Sequence, residues 1–78
     1  MKKTEILKIV GKRIKNLRES KGLSQVDLVG KMQGEIGPTN ISRIESGRTN
    51  PTVYTLFRIA EALEVNPKEL LDVETSTD

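Results

Sequence analysis

Thr39, Ser42, Arg43 and Ser46 stand at i, i+3, i+4 and i+7, the spacing that gathers side chains on one face of a helix. Three short hydroxyls that donate and accept, beside one guanidinium that only donates, make a surface for hydrogen-bonded recognition rather than for bond breaking. The rest of the inventory agrees. The chain holds no histidine and no cysteine. This removes the commonest general base, the thiol nucleophile, the usual zinc ligands and every disulfide. With no paired-carboxylate motif either, neither an enzyme nor a metal or cofactor site is expected.

The opposite face of the same helix holds Ile41 and Ile44. Ordinary exposed helix faces favour Glu, Lys and Gln, whereas Ser and Thr are weaker helix formers and permit close approach to a partner surface. A short helix anchored inward by two isoleucines, with small polar groups outward, meets the requirement for reading base edges in the DNA major groove. Arg43 then suits a guanine or a phosphate, Thr39 a thymine methyl, and Asn40, on the flank, a phosphate or an adenine. Glu45 breaks the pattern, because a carboxylate in the last turn opposes the helix dipole and repels phosphates. The angular count sets it about 70 degrees from the isoleucine centre, at the edge of the buried side. An internal ion pair is therefore expected, with Arg18 as the partner.

These residues need a frame. Ile6, Val10, Ile14 and Leu17 recur at helical spacing and predict a first helix of about fifteen residues. It should stop at Gly22, with Leu23 as the accompanying apolar contact. Ser24 then caps a second helix, with Asp27 in the capping-box position and Leu28, Val29 and Met32 on its inner side. Two glycines and a proline between Gln33 and Pro38 predict a turn. The third helix begins at Pro38 with Gly37 as cap, Thr39 being the competing cap, and ends at Gly47. Thr52 caps a fourth helix carrying Val53, Leu56, Ile59, Ala60 and Leu63. Asn66, Pro67 and Glu69 make a cap, a first-position proline and a capping-box glutamate for a short fifth helix holding Leu70 and Leu71. The segment from Val73 to Asp78 has no periodicity and is expected to be a frayed acidic tail after a single domain of residues 1–72.

Seventy-eight residues fit one small domain, and only two aromatics, Tyr54 and Phe57, are present, so the core must come from aliphatic side chains at helical spacing. No apolar run approaches the roughly 18 residues of a membrane span, and a soluble cytoplasmic protein is the expectation. Residues 1–21 hold eight Lys/Arg against two Glu, and residues 51–78 hold two against six acids. A basic end suits a polyanion. An ordinary lysine-rich outer helix face explains that charge equally well.

The segments LRESKGLSQVDL, NISRIESGRTNP and TLFRIAEALEVNPKEL together resemble the phage repressor and Cro-type (XRE-like) helix-turn-helix family, which includes restriction-modification controller proteins and many antitoxins. The resemblance runs from Gly11 to Leu71 and rests on Ser24-Gln25, Ile41, Ile44-Glu45, Gly47, Pro51 and Ile59-Ala60 in combination. It implies an all-α, compact five-helix bundle of the lambda-repressor-like DNA-binding type, with helices two and three as the reading unit. Gln25 would touch a phosphate, the third helix would present Thr39, Asn40, Ser42 and Arg43, and Ser46 and Arg48 would hold backbone phosphates. Arg18 and Glu45 match the family's internal ion pair. Three features depart from the pattern. The path from Leu28 to Ile41 is two residues longer than usual, and Val29 stands where a small alanine is common. Pro38 also occupies a position that often carries a long base-reading side chain.

The function so implied is a sequence-specific transcriptional regulator, repressor or controller, binding double-stranded DNA as a homodimer on a roughly palindromic operator. Tyr54, Phe57, Leu71 and Val73 offer apolar surface for self-association. Closure of the monomer core by Phe57 and Leu71 is the plainer account. The rival reading is an antitoxin-like module whose ligand is a toxin or another regulator.

Overall fold

The computed structural model describes residues 1–74. Four α-helices, α1 (Lys3–Ser20), α2 (Gln25–Lys31), α3 (Pro38–Glu45) and α4 (Val53–Leu63), are followed by a 3-10 helix, Pro67–Leu71. Among the described residues there is no strand, and no helix is long and apolar enough to cross a membrane.

The helix boundaries lie where side chains replace missing backbone partners. Ser24 Oγ accepts from the Asp27 amide at 3.0 Å, and Asp27 Oδ2 accepts from the Ser24 amide at 2.9 Å, closing a capping box at α2. The Ser24 amide first, and then its side chain, hold the Asp27 carboxyl below its ordinary range. Thr52 Oγ1 accepts from the Thr55 amide at 3.1 Å to start α4. Gly37 precedes Pro38 at the start of α3, where proline's missing N–H removes nothing. After α1 the chain reverses through Gly22 at φ +72°, and the Leu23 amide returns to the Arg18 carbonyl at 3.2 Å. The end of α4 uses Glu64 in the left-handed region, φ 58°, with no glycine to mark it.

Three sequence expectations are corrected. The fifth helix is a 3-10 helix of five residues, which leaves four α-helices in place of five. Asn66 Oδ1 caps it through the Lys68 amide at 3.1 Å, but the Glu69 carboxylate serves Arg13 at 3.6 Å, and the Arg13 Nε also takes the Glu69 carbonyl at 2.8 Å. Side chains from α1 thus tie down a segment too short to sustain α-helical bonding. Second, α1 is 18 residues long, and Ile6 in its first turns is 43% exposed. The buried line of α1 runs through Gly11, Ile14 and Arg18, with Val10 and Leu17 half-buried beside it. An angular count drawn through apolar residues alone is turned toward Ile6 and away from that line. Third, Val53 is exposed at the start of α4.

The core is a single cluster. Ile14 from α1, Leu28 from α2, Ile41 and Ile44 from α3, Ile59, Ala60 and Leu63 from α4, Leu70 and Met32 are all buried. Ile36, in the turn between α2 and α3, packs against this cluster. The core therefore grips α3 from one side only and leaves its other side to solvent.

Candidate nucleic-acid interface

Helix α3 divides along its axis as amphipathic spacing requires. Ile41 and Ile44 are buried, whereas Thr39, Asn40, Arg43 and Ser46 are exposed and Ser42 is half-buried. The chain leaves this helix through Gly47 at φ +79°, and the Arg48 amide returns to the Arg43 carbonyl at 2.8 Å. Ser46 Oγ donates to the Arg43 carbonyl at 3.2 Å and accepts from Arg48 Nε at 3.1 Å. Arg48 is thereby tethered to the last turn of the exposed stripe. Among the described residues, the Arg43 guanidinium has no hydrogen-bond or ion-pair partner, so its whole fork of donors faces outward.

A hydrogen-bonded triad beneath that stripe sets the position of α3. Arg18 Nε donates to Glu45 Oε2 at 2.7 Å and Arg18 Nη2 to Glu45 Oε1 at 3.0 Å, a two-pronged contact with both side chains buried. Arg18 Nη1 donates to the Leu23 carbonyl at 2.7 Å, which extends the link to the turn before α2. The hydrogen bonds that Arg18 donates to Glu45 raise its pKa against the cost of burial. Gln25, expected from the sequence at a phosphate, donates its Nε2 to Glu45 Oε1 at 3.0 Å. One amide N–H is committed there, and the side chain is half-buried at the start of α2. The carboxylate meets donors from two helices, and among the described residues no buried side-chain nitrogen or oxygen lacks a partner. A charge that would oppose a polyanion is thus held inside and neutralised.

Two devices escaped sequence reasoning. At Gly11 a Cβ would fall 2.3 Å from the Ile44 carbonyl oxygen and 2.6 Å from that of Glu45. The absent side chain lets α1 cross directly over the last turn of α3. A glycine inside an otherwise regular helical run is the sequence signal for such a crossing. The second device is a polar clasp on the long turn: Glu35 Oε2 accepts from Tyr54 Oη at 3.1 Å and from Arg58 Nε at 3.3 Å, and Arg58 also bonds Glu61. Tyr54, expected at a protein interface, is exposed but engaged through its hydroxyl.

Phe57 and Leu71 are each 57% exposed, so neither closes the monomer core. With Val53, Leu56, Pro67 and Lys68 they line an apolar groove of about 260 Å³ on the side formed by α4 and the 3-10 helix. The four final residues of the expected acidic tail, 75–78, lie outside the described residues. Among the described residues no three His, Cys, Asp or Glu side chains are grouped as metal ligands.

Residues 14–70 match the model of a helix-turn-helix family, HTH_3. The chain is 38% identical over 74 residues to an uncharacterised HTH-type transcriptional regulator, y4dJ, of Sinorhizobium fredii, covering 95% of this chain and 90% of that one. Its fold is similar to the crystal structure of the restriction-modification controller protein C.AhdI from Aeromonas hydrophila, with a TM-score of 0.76 and 30% identity, covering 85% of this chain and 96% of that one. The DNA-binding domain of BldD gives a TM-score of 0.80 at 28% identity, with 90% of this chain and 97% of that one covered.

Proposed function

The chain belongs to the helix-turn-helix family HTH_3, and from that premise we propose that it is a sequence-specific, DNA-binding transcriptional regulator acting as a homodimer on a roughly palindromic operator. The observation that carries this reading is the division of α3, with two buried isoleucines below and Thr39, Asn40, Arg43 and Ser46 open above. Thr39, Asn40, Ser42 and Arg43 face base edges, and Gln25, Ser46 and Arg48 hold backbone phosphates. Arg18 and Glu45 position the reading helix without touching DNA. Residues 1–72 form the binding unit. Pro38 offers no side-chain donor, so base choice falls on the later residues of α3.

An eight-residue helix reads few base pairs, and a second copy doubles the site. The groove around Phe57 and Leu71 is the surface through which two copies pair, away from α3. Two reading helices then lie on one face of the duplex about 34 Å apart, one helical turn. Phosphate contacts supply most of the affinity, and α3 supplies the choice of site.

Selection of bound duplexes from random DNA tests the reading. Enriched sequences should contain two inverted half-sites one helical turn apart. Recovery of unselected DNA, together with a stoichiometric protein partner in pull-downs from the source cells, would instead favour an antitoxin-like interaction module.

A further inference from the structure

Beside the exit from α3, a groove of about 690 Å³ runs between the first two turns of α1 and the segment after Gly47. One wall carries Lys3, Thr4 and Lys8, and the other carries Ser46, Arg48 and Asn50. Three cations face this space, and no carboxylate lines it. Among the described residues Lys3 and Lys8 take part in no ion pair, so their charges are uncompensated. The walls are held in register. A Cβ at Gly47 would lie 2.7 Å from Lys8 Cγ and 2.8 Å from the Lys8 backbone nitrogen, so the loop rests directly on the root of that lysine.

Resting on the DNA-binding reading above, we propose that this groove seats the sugar-phosphate backbone beside the base pairs read by α3, with Lys3 and Lys8 neutralising phosphate charge from outside the helix-turn-helix unit. Ser46 and Arg48 belong both to the groove and to the contact stripe, so a duplex laid against α3 continues into it. A phosphodiester fits the lining: ammonium and guanidinium groups meet the anionic oxygens, and the hydroxyl of Thr4 and the amide of Asn50 add neutral donors. Two of the eight basic residues of 1–21, Lys3 and Lys8, thereby gain a location and a ligand.

The test uses the full chain, its selected operator, and the double variant Lys3→Gln/Lys8→Gln, which removes both charges and keeps the aliphatic root of Lys8 under Gly47. Both lysines are exposed, so thermal melting should be unchanged. The plot of log affinity against log salt should become shallower by about 1 to 2 per protomer, about 2 to 4 for the pair on its operator, while the ranking of operator sequences stays the same. A scan of the operator with single methylphosphonates, each removing one phosphate charge, locates the contact. At a position flanking the half-site, neutralisation should weaken the wild-type protein and leave the double variant nearly unaffected. Wild-type binding with additive losses at every position would overturn the groove assignment alone. Absence of sequence-selective duplex binding by the wild-type protein would overturn the regulator reading and the groove with it.

Discussion

Arg18 and Glu45 direct nearly all their polar capacity inward, so each depends on the other for the charge it carries. Replacing Arg18 with Met leaves the Glu45 carboxylate buried beside Gln25 alone, and a stranded half of a buried ion pair costs about 3 to 5 kcal/mol. The double change Arg18→Met/Glu45→Leu removes both charges and should be less destabilised than Arg18→Met alone, in urea unfolding of each variant. Simple additivity would mean that the pair does not couple. The exposed arginines should separate by specificity rather than stability. Arg43→Ala should reduce discrimination against altered half-sites by about 1 to 3 kcal/mol, because its free fork faces the proposed base edges. Arg48→Ala should weaken all sequences alike and flatten the salt dependence by about one phosphate contact per protomer. Competition binding against point-substituted operators distinguishes the two, and matched, sequence-blind losses would make Arg43 a phosphate contact.

Helix positions depend on crossings that local sequence does not encode, and two glycines expose the difference. Gly11→Ala improves helix propensity by about 1 kcal/mol, yet its methyl would enter the carbonyl oxygens of Ile44 and Glu45. Overpacking of this kind costs about 1 to 3 kcal/mol, and the crowded atoms are backbone, which cannot rotate away. Gly30→Ala in α2 meets nothing within 4 Å and should gain most of the propensity term. The pair should therefore shift the melting temperature in opposite directions, and a stabilised Gly11→Ala protein would refute the close crossing. The same contrast explains what was legible beforehand. Caps at Ser24, Thr52 and Asn66 and the reversals at Gly22 and Gly47 depend on neighbours within a few residues, and their chemistry is written locally. The outward face of α3 likewise follows from helical spacing around Ile41 and Ile44. Ile6, Glu64 and the 3-10 form of Pro67–Leu71 were not legible, because tertiary contacts decide them. At the candidate site, the bond from Gln25 to Glu45 and the clasp of Glu35 on Tyr54 and Arg58 join residues about twenty positions apart, beyond the reach of periodicity.

For the molecule as a whole, α3 and the apolar groove lie on different elements, so the proposed DNA contact and the proposed self-association can be tested separately. Phe57 is the most informative residue for that separation. Its ring is more than half exposed, and with Leu71 it lines the apolar groove between α4 and the 3-10 helix. In a pair related by a two-fold axis, each copy uses the same patch, so one substitution alters the interface twice. Phe57→Asp places two carboxylates in apolar contact, a state strongly disfavoured by desolvation and mutual repulsion. In the monomer the same aspartate faces mainly water, and loss of the covered part of the ring should cost about 1 to 2 kcal/mol of folding stability. Sedimentation at micromolar concentration should accordingly change from dimer to monomer while the thermal transition of the monomer persists. Affinity for the full operator should fall much more than affinity for an isolated half-site, since the second reading helix is lost but α3 itself is untouched. A variant that remains dimeric would exclude this groove as the pairing surface, whereas a variant that loses half-site binding in proportion would show that the groove supports α3 rather than a partner copy.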